Sequence, residues 1–391
     1  MRILYIAPRF HTNQVPIIRG LLRKGNEVKF ISHYTGAVEN YEDIKPQVLG
    51  YSSFFEFVYG IVKRLRILND AKLNIFRMKG GFPPKALLKK AILEFNPDVV
   101  ITRERSCYSM SATKICRKNN IPIILYDQSP LWMDKIKDDF LHRLVRRLTP
   151  ERRMTPVLGR ECRKDGTKRV KEPNSAYIPF VMNPHNEIIE EQSNMAGDVN
   201  ERRQSVKILE IGKYENRKNH IMMLDVFDKL SDQYDIELTI VGECTTKAHT
   251  EYYGRLDEIR RNILTRKPWL EEKINLVRNV KAKDMENYYK GADIFVLPST
   301  KEPASISQLE AMSYALPVIC SNTNGTSCYV EDGINGFQFE DGNTNDLSDK
   351  LEKIIADRAL MESFGNSSLK LVNEKYGIEK YIEEVGKLIN L

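Results

Sequence analysis

Short apolar runs alternate with segments whose apolar residues recur at helical spacing, and the alternation occurs twice along the chain. Residues 2–6 form the first run. Over 13–24, Val15, Ile18, Leu21 and Leu22 then fall on one predicted helix face. Gly25-Asn26 ends that helix and 28–31 reads as the next strand. Runs at 99–101 and 121–126 enclose a helical pattern over 109–118. Strand, helix, strand at this spacing predicts βαβ units and a parallel sheet.

The pattern restarts at 206–212, followed by a helical 219–231 and a strand at 237–242. Strands at 274–277, 294–297 and 318–320 alternate with helices over 285–291 and 306–315. Pro173, Pro179 and Pro184, then a polar stretch over 186–205, separate the halves. The expected organisation is an N-terminal α/β domain over 1–185, a linker over 186–205 and a second α/β domain over 206–375. A terminal helix over 376–391 is expected to pack back on the first domain. Open α/β sheets bind ligands outside the carboxyl ends of their strands. Two such doubly wound domains facing each other would therefore share a central cleft.

A length of 391 residues suits two domains rather than one. There is no apolar stretch of about 18 residues, so nothing reads as a membrane-spanning helix, and the first run is too short for a signal-peptide core. Six cysteines and six histidines are scattered without C-x-x-C or H-x-x-x-H spacing, so no metal site is expected. Net charge changes the picture more. Residues 1–180 carry 34 Lys/Arg against 17 Asp/Glu, a balance of +17, whereas the whole chain is only +7. The N-terminal half is thus expected to meet something anionic, such as a membrane surface or a lipid-linked phosphate. Nucleic acid is not expected: no recognition module is present and the second half is acidic.

The usual phosphate fingerprints, G-x-x-x-x-G-K-[ST] and G-x-G-x-x-G after the first strand, are missing. Instead, Gly212-Lys213-Tyr214-Glu215-Asn216-Arg217-Lys218-Asn219-His220 follows one strand and opens a helix. A glycine permits a tight turn there, the helix start offers free N–H groups, and Lys213, Arg217 and Lys218 add charge, a combination suited to a diphosphate. A second segment runs from Pro298 to Ile319 between two strands and carries Glu302 and, eight residues on, Glu310. Carboxylates accept two hydroxyl hydrogen bonds each, which suits a sugar or a ribose.

Together these segments resemble the retaining glycosyltransferases of family 4. The E-x7-E element stands as Glu302…Glu310, followed by Ala311-Met312 and Leu316-Pro317-Val318-Ile319, and the Gly-Arg…Lys element as Gly212-Lys213…Lys218. Val241-Gly242, Arg278-Asn279-Val280, 292–299 and 331–337 also follow the family's pattern. The resemblance spans about 206–345 and is weak over the N-terminal half. It implies the GT-B fold: two Rossmann-like, doubly wound domains around a cleft. It further implies a nucleotide-diphosphate sugar donor and no metal. Lys213 and Lys218 would hold the diphosphate, Glu302 the sugar and Glu310 the ribose. The amides of Ala304, Ser305, Ile306 and Ser307 would line phosphate and sugar. Val241, Gly242, Asn279 and Val280 would flank the base. Retention of anomeric configuration rests on the resemblance alone.

The chain departs from that pattern in places. Lys213 stands where the family usually has Arg, and lysine lacks the bidentate fork. Pro303-Ala304-Ser305 replaces a stretch that is commonly Phe-Gly. No histidine stands where the family carries one at the end of an N-domain strand; Tyr126-Asp127-Gln128-Ser129-Pro130 is there instead. Asp127 can bond a sugar hydroxyl or move a proton, or it can cap the following turn. His11, in the loop after the first strand, is the other candidate, as a catalytic or a purely structural side chain, with Thr12 or Asn13 able to cap the next helix. Arg103-Glu104-Arg105 can face an acceptor or simply solvent.

Residues 54–66 and 135–148 both give basic amphipathic helices, suited either to a core with a wet basic face or to an anionic bilayer. These readings add up to a cytoplasmic glycosyltransferase, peripheral on the inner membrane face, with a glycan or lipid-linked acceptor. A catalytically inactive nucleotide-sugar-binding or scaffold subunit is the alternative.

Overall fold

The computed structural model describes residues 1–35, 43–103, 105–136, 143, 147–148, 152–186 and 205–390. Two compact units divide the chain: Met1–Val181 together with Ile378–Leu391, and Met182–Gly377. The chain passes into the second unit just before the boundary expected at 185. The stretch assigned as a linker lies, apart from its two ends, outside the described residues, and so does most of the predicted helix over 135–148.

The first unit is built on a seven-stranded sheet. Its strands are β1 (Arg2–Ala7), β2 (Glu27–Ser32), β3 (Gln47–Val48), β4 (Val99–Arg103), β5 (Ile123–Tyr126), β7 (Arg153–Thr155) and β9 (Ser175–Tyr177). They lie side by side in the order β3-β2-β1-β4-β5-β7-β9, every pair parallel. A separate antiparallel pair joins β6 (Trp132–Met133) to β8 (Val170–Lys171). The residues of β5 and the first four of β4 are all buried, as expected of parallel strands covered on both faces. Helices Val15–Arg23, Lys85–Phe95 and Cys107–Lys118 supply the cover. On the first of these, Ile17 and Ile18 go inward with Leu21, whereas Leu22, read from the spacing as core, is exposed.

Helix Ile378–Ile389 also belongs to this unit. The Tyr381 hydroxyl meets that of Tyr5 at 2.8 Å, and Arg152 donates to the Ile389 carbonyl at 2.6 Å. Burial raises the pKa of both tyrosines, so the pair is neutral.

The second unit contains β10 (Val206–Ile211), β11 (Ile236–Gly242), β12 (Ile274–Arg278), β13 (Ile294–Leu297), β14 (Val318–Ser321) and β15 (Gly336–Phe339). All pairs are parallel, in the order β12-β11-β10-β13-β14-β15. Numbered within the unit, this is the 3-2-1-4-5-6 order of a dinucleotide-type Rossmann sheet. Helices His220–Leu230 and Thr344–Ala356 pack on it, burying Met223, Phe227, Leu347 and Leu351. Helix Lys247–Arg266 is 20 residues long and was not evident from the apolar spacing, because it buries only Tyr252, Leu256 and Ile263.

Candidate active site

In a sheet of this order the winding reverses between β10 and β13, and the loops leaving the carboxyl ends of those two strands frame a crevice. In the second unit those loops are residues 212–219 and 298–306, the two segments singled out above. Several bonds join them directly. The Thr300 amide donates to the Arg217 carbonyl at 2.8 Å. Lys218 Nζ lies 2.7 Å from Glu302 Oε2, and the Arg217 guanidinium donates to the same oxygen. A further nitrogen of Arg217 bonds Glu215 at 2.5 Å. Lys218 and Glu302 are nearly buried, while the Arg217 side chain is 37% exposed. Two cations thus converge on one carboxylate at the switch point of the sheet.

Local chemistry explains why the lysine lies there. A turn Asn216–Lys218 ends at Asn219, whose φ of 59° is left-handed, a conformation asparagine tolerates. That residue starts helix His220–Leu230. A Cβ on Gly212 would stand 2.8 Å from Lys218 Cδ, so the absence of a side chain at 212 is what lets the lysine stem lie across the backbone toward Glu302. Gly242 leaves room in the same way: a Cβ there would stand 2.5 Å from the Gly212 carbonyl oxygen.

Beneath the loop lies a pair that the apolar pattern hid. Glu210 and His220 are both fully buried, with His220 Nδ1 2.5 Å from Glu210 Oε1 and His220 Nε2 3.0 Å from the Lys213 carbonyl oxygen. A carbonyl only accepts, so Nε2 carries hydrogen, and the contact at Nδ1 needs a further proton between the two atoms. Burial pushes the Glu210 carboxyl up, opposed by His220 and Lys218. The pair ties the strand, the helix and the loop backbone together. A lone glutamate in the run 206–211 of a central strand, with a histidine at the start of the next helix, is the signal that could have found it.

Lys213 itself does not join the cluster. Its ammonium pairs with Glu243 at 2.9 Å, both half-exposed. Arg217, a member of the basic run but not among the residues the resemblance assigns, stands in the cluster instead. Glu310, on helix Ser307–Ser313, accepts from the Tyr289 hydroxyl at 2.7 Å; burial raises its carboxyl and that bond opposes the rise. Ser305 and Ser307 share a hydroxyl hydrogen bond of 2.8 Å, and the Ser305 amide donates to Thr326 at 3.2 Å. Ala304 and Ile306, half-buried, complete this loop. At the ends of β11 and β12, the Asn279 amide donates to the Gly242 carbonyl at 2.9 Å, and its side chain accepts from Cys244 N at 2.7 Å. Val241 is buried and Val280 half-buried beside that turn. Among the described residues no group of His, Cys, Asp and Glu is arranged to hold a metal ion.

In the first unit the Asp127 carboxylate is occupied. Arg153, only 1% exposed, binds it through two nitrogens at 2.7 and 2.5 Å, and the Ser129 amide donates to it at 2.8 Å. Arg153 also faces Glu172 at 3.2 Å, which in turn pairs with Arg105 at 2.5 Å. This is the turn-capping arrangement, reinforced by a buried ion pair. Arg103 lies over the Tyr126 ring at 5.8 Å, and Glu104 falls outside the described residues. The His11 amide donates to Gln14 Oε1 at 2.9 Å, and the helix from Val15 has Gln14 at its N-cap, with no side-chain cap bond from that residue. Asn13 lines a narrow, mostly apolar pocket with Gln14, Arg103, Tyr126, Met154 and Tyr381. Its Oδ1 is buried and without a partner among the described residues.

The two parallel Rossmann-like units define the GT-B fold. Over the whole chain the structure resembles a glycosyltransferase from Rickettsia africae ESF-5 with a TM-score of 0.68, covering 98% of that chain at 15% identity. Residues 192–370 match the family model described as glycosyl transferases group 1. Among curated proteins, the capsular polysaccharide biosynthesis glycosyltransferase CapM of Staphylococcus aureus is 28% identical over 161 residues, 41% of this chain and 39% of that protein. The UDP-Gal:alpha-D-GlcNAc-diphosphoundecaprenol alpha-1,3-galactosyltransferase of Escherichia coli is 34% identical over 105 residues, 27% of each chain. The chain therefore aligns with less than half the length of these curated relatives.

Proposed function

We propose that this protein is a glycosyltransferase that moves a sugar from a nucleotide-diphosphate sugar to a glycan or lipid-linked acceptor in bacterial-type surface polysaccharide or glycolipid assembly. The observation that carries the reading is the meeting of Lys218, Arg217 and Glu302 across the switch point of the second sheet. Without donor, the two cations neutralise the carboxylate. A diphosphate entering the crevice competes for them and frees Glu302 to accept hydrogen bonds from the sugar. As the sugar–phosphate bond breaks, negative charge grows on the leaving oxygens, where fixed cations lower the barrier most. The departing diphosphate is thus held by Lys218 and Arg217, with Lys213 reaching it from the rim, and no metal is called for. Glu310 would take the ribose hydroxyls. The amides at 304–307 would line phosphate and sugar, and Val241, Gly242, Asn279 and Val280 the base. The similarity to a UDP-galactose-dependent relative favours a UDP-sugar. Transfer with retention follows the family-4 resemblance.

The acceptor belongs to the first unit in this reading. Asn13 Oδ1 and His11 are the residues we assign to it there, while Asp127 acts by holding Arg153 and the 127–129 turn. A lipid-linked acceptor would bring the basic first unit to the cytoplasmic face of an anionic membrane.

The test is release of nucleoside diphosphate across a panel of UDP-, GDP- and ADP-sugars, wild type beside Glu302→Ala. One donor is expected to be turned over by the wild type, with a loss of at least about 100-fold in the variant, on the scale of one preorganised charge contact. Binding of a donor without turnover, with acceptor extracts supplied, would favour the inactive subunit. Binding of none would overturn the reading.

A further inference from the structure

Helix Ser53–Arg64 is apolar on two sides, and only one of them is used by the fold. At about 100° per residue, Phe55, Tyr59 and Val62 fall within about 60° of arc and turn inward. Phe55 is 4% exposed, and its ring lies 5.4 Å from that of Phe76 on the neighbouring helix Asp70–Gly80. Phe54, Phe57, Ile61 and Leu65, the last just past the helix end, occupy a second arc of about 80°. They are 76, 67, 42 and 65% exposed. Among the described residues, no other large hydrophobic residue is as exposed as Phe54. Isolated exposed leucines are ordinary, but two exposed phenylalanines in register with Ile61 and Leu65 are not. Ile67 continues the apolar surface, and Phe82, whose carbonyl accepts the Ser52 amide at 2.8 Å, borders the start of the helix.

Charge identifies what covers this face. Residues 52–90 carry nine Lys/Arg against two Asp/Glu. Lys63, Arg64 and Arg66 interleave with the apolar stripe at its carboxyl end, and all three are exposed. A second protein or a second copy of this chain would have to match a ring of cations with acids. A bilayer supplies both needs at once, with acyl chains for the aromatic stripe and anionic headgroups for the cations. Long lysine and arginine stems can also reach headgroups while the helix lies lower. At 12 residues this helix is too short to cross a bilayer, so its own contact would be of the surface kind.

We infer that helix Ser53–Arg64, through Phe54, Phe57, Ile61 and Leu65, is a docking element that lies in the interface of an anionic lipid bilayer. It gives an address on the molecule to the membrane contact proposed above, and it holds whichever donor the second unit uses.

The test is co-sedimentation of the full chain with vesicles of phosphatidylcholine alone and with about one-third phosphatidylglycerol, wild type beside the Phe54→Ser/Phe57→Ser double variant. The wild type is expected to bind the anionic vesicles at least about 10-fold better than the neutral ones, a preference that fades in high salt. The double variant is expected to lose about 100-fold in partitioning, on the scale of two withdrawn aromatic side chains. Its melting temperature and its turnover of soluble donor should stay at wild-type values. Equal partitioning of both proteins, or no binding by the wild type, would overturn the inference. So would a wild-type dimer that the double variant dissolves without any vesicle binding, which would make the face a contact between copies. Turnover of soluble donor reports separately on the glycosyltransferase reading, so the two can fail independently.

Discussion

Replacing Glu210 by glutamine isolates the proton buried under the phosphate loop. In the wild type, His220 Nε2–H donates to the Lys213 carbonyl, and the 2.5 Å contact between Nδ1 and Glu210 needs a proton of its own. Burial raises Glu210 above the usual carboxyl range, against the smaller opposing effects of His220 and Lys218. A carboxyl held above its unfolded value contributes stability that is complete below the unfolded pKa, about 4.3, and is lost as pH rises through the folded value. Glutamine donates from its amide to the same nitrogen and does not titrate. The stability of the wild type relative to Glu210→Gln should therefore fall by up to about 1.4 kcal/mol per pH unit from about pH 4.3 upward, then level off. Urea unfolding between pH 4 and 9 measures this. The chain has only two tryptophans, so a Trp132→Phe background leaves Trp269 as the sole indole, reporting on the second unit. A difference that is independent of pH, or that grows with pH, would refute the proton count.

Two further substitutions separate roles in each unit. Gly212→Ala puts a methyl 2.8 Å from Lys218 Cδ and should push the lysine off Glu302. Nucleoside-diphosphate affinity by calorimetry is expected to fall about 10-fold, one charge-assisted contact, with little change in melting temperature; unchanged affinity would deny Lys218 its role. Asp127→Ala leaves the buried Arg153 with Glu172 as its one acidic partner among the described residues, beside the Ser129 carbonyl, and should cost about 3–5 kcal/mol of stability, read by denaturant unfolding. If the variant instead unfolds like the wild type and loses only turnover, Asp127 acts on the substrate.

The parallel strands could be read from sequence because burial on both faces turns each into an unbroken apolar run, and strand spacing then gave the alternation of elements. The two loops at the switch point could be read because glycine, lysine and glutamate sit at strand ends, where side chains are free to meet a ligand. Other features depend on partners far away in sequence. Whether Asp127 is free or committed is decided by Arg153, 26 residues on. Likewise, Lys213 pairs with Glu243 and leaves the cluster to Arg217. The helix at 53–64 is apolar on adjacent sides, and periodicity cannot say which side the fold will cover; Phe55 went in and Phe54 and Phe57 stayed out. The helix Lys247–Arg266 was missed because three buried contacts spread over 20 residues leave almost no period to detect.

The first unit takes its last helix from the far end of the chain. On a ribosome, the sheet that carries Tyr5 is made about 200 residues before Tyr381, which separates the two by about 10–40 s at ordinary elongation rates. For that interval the Tyr5 hydroxyl waits for its partner while the second unit, uninterrupted in sequence, can complete its own sheet. The birth order of the molecule is therefore inverted relative to its numbering: the unit that starts second is finished first.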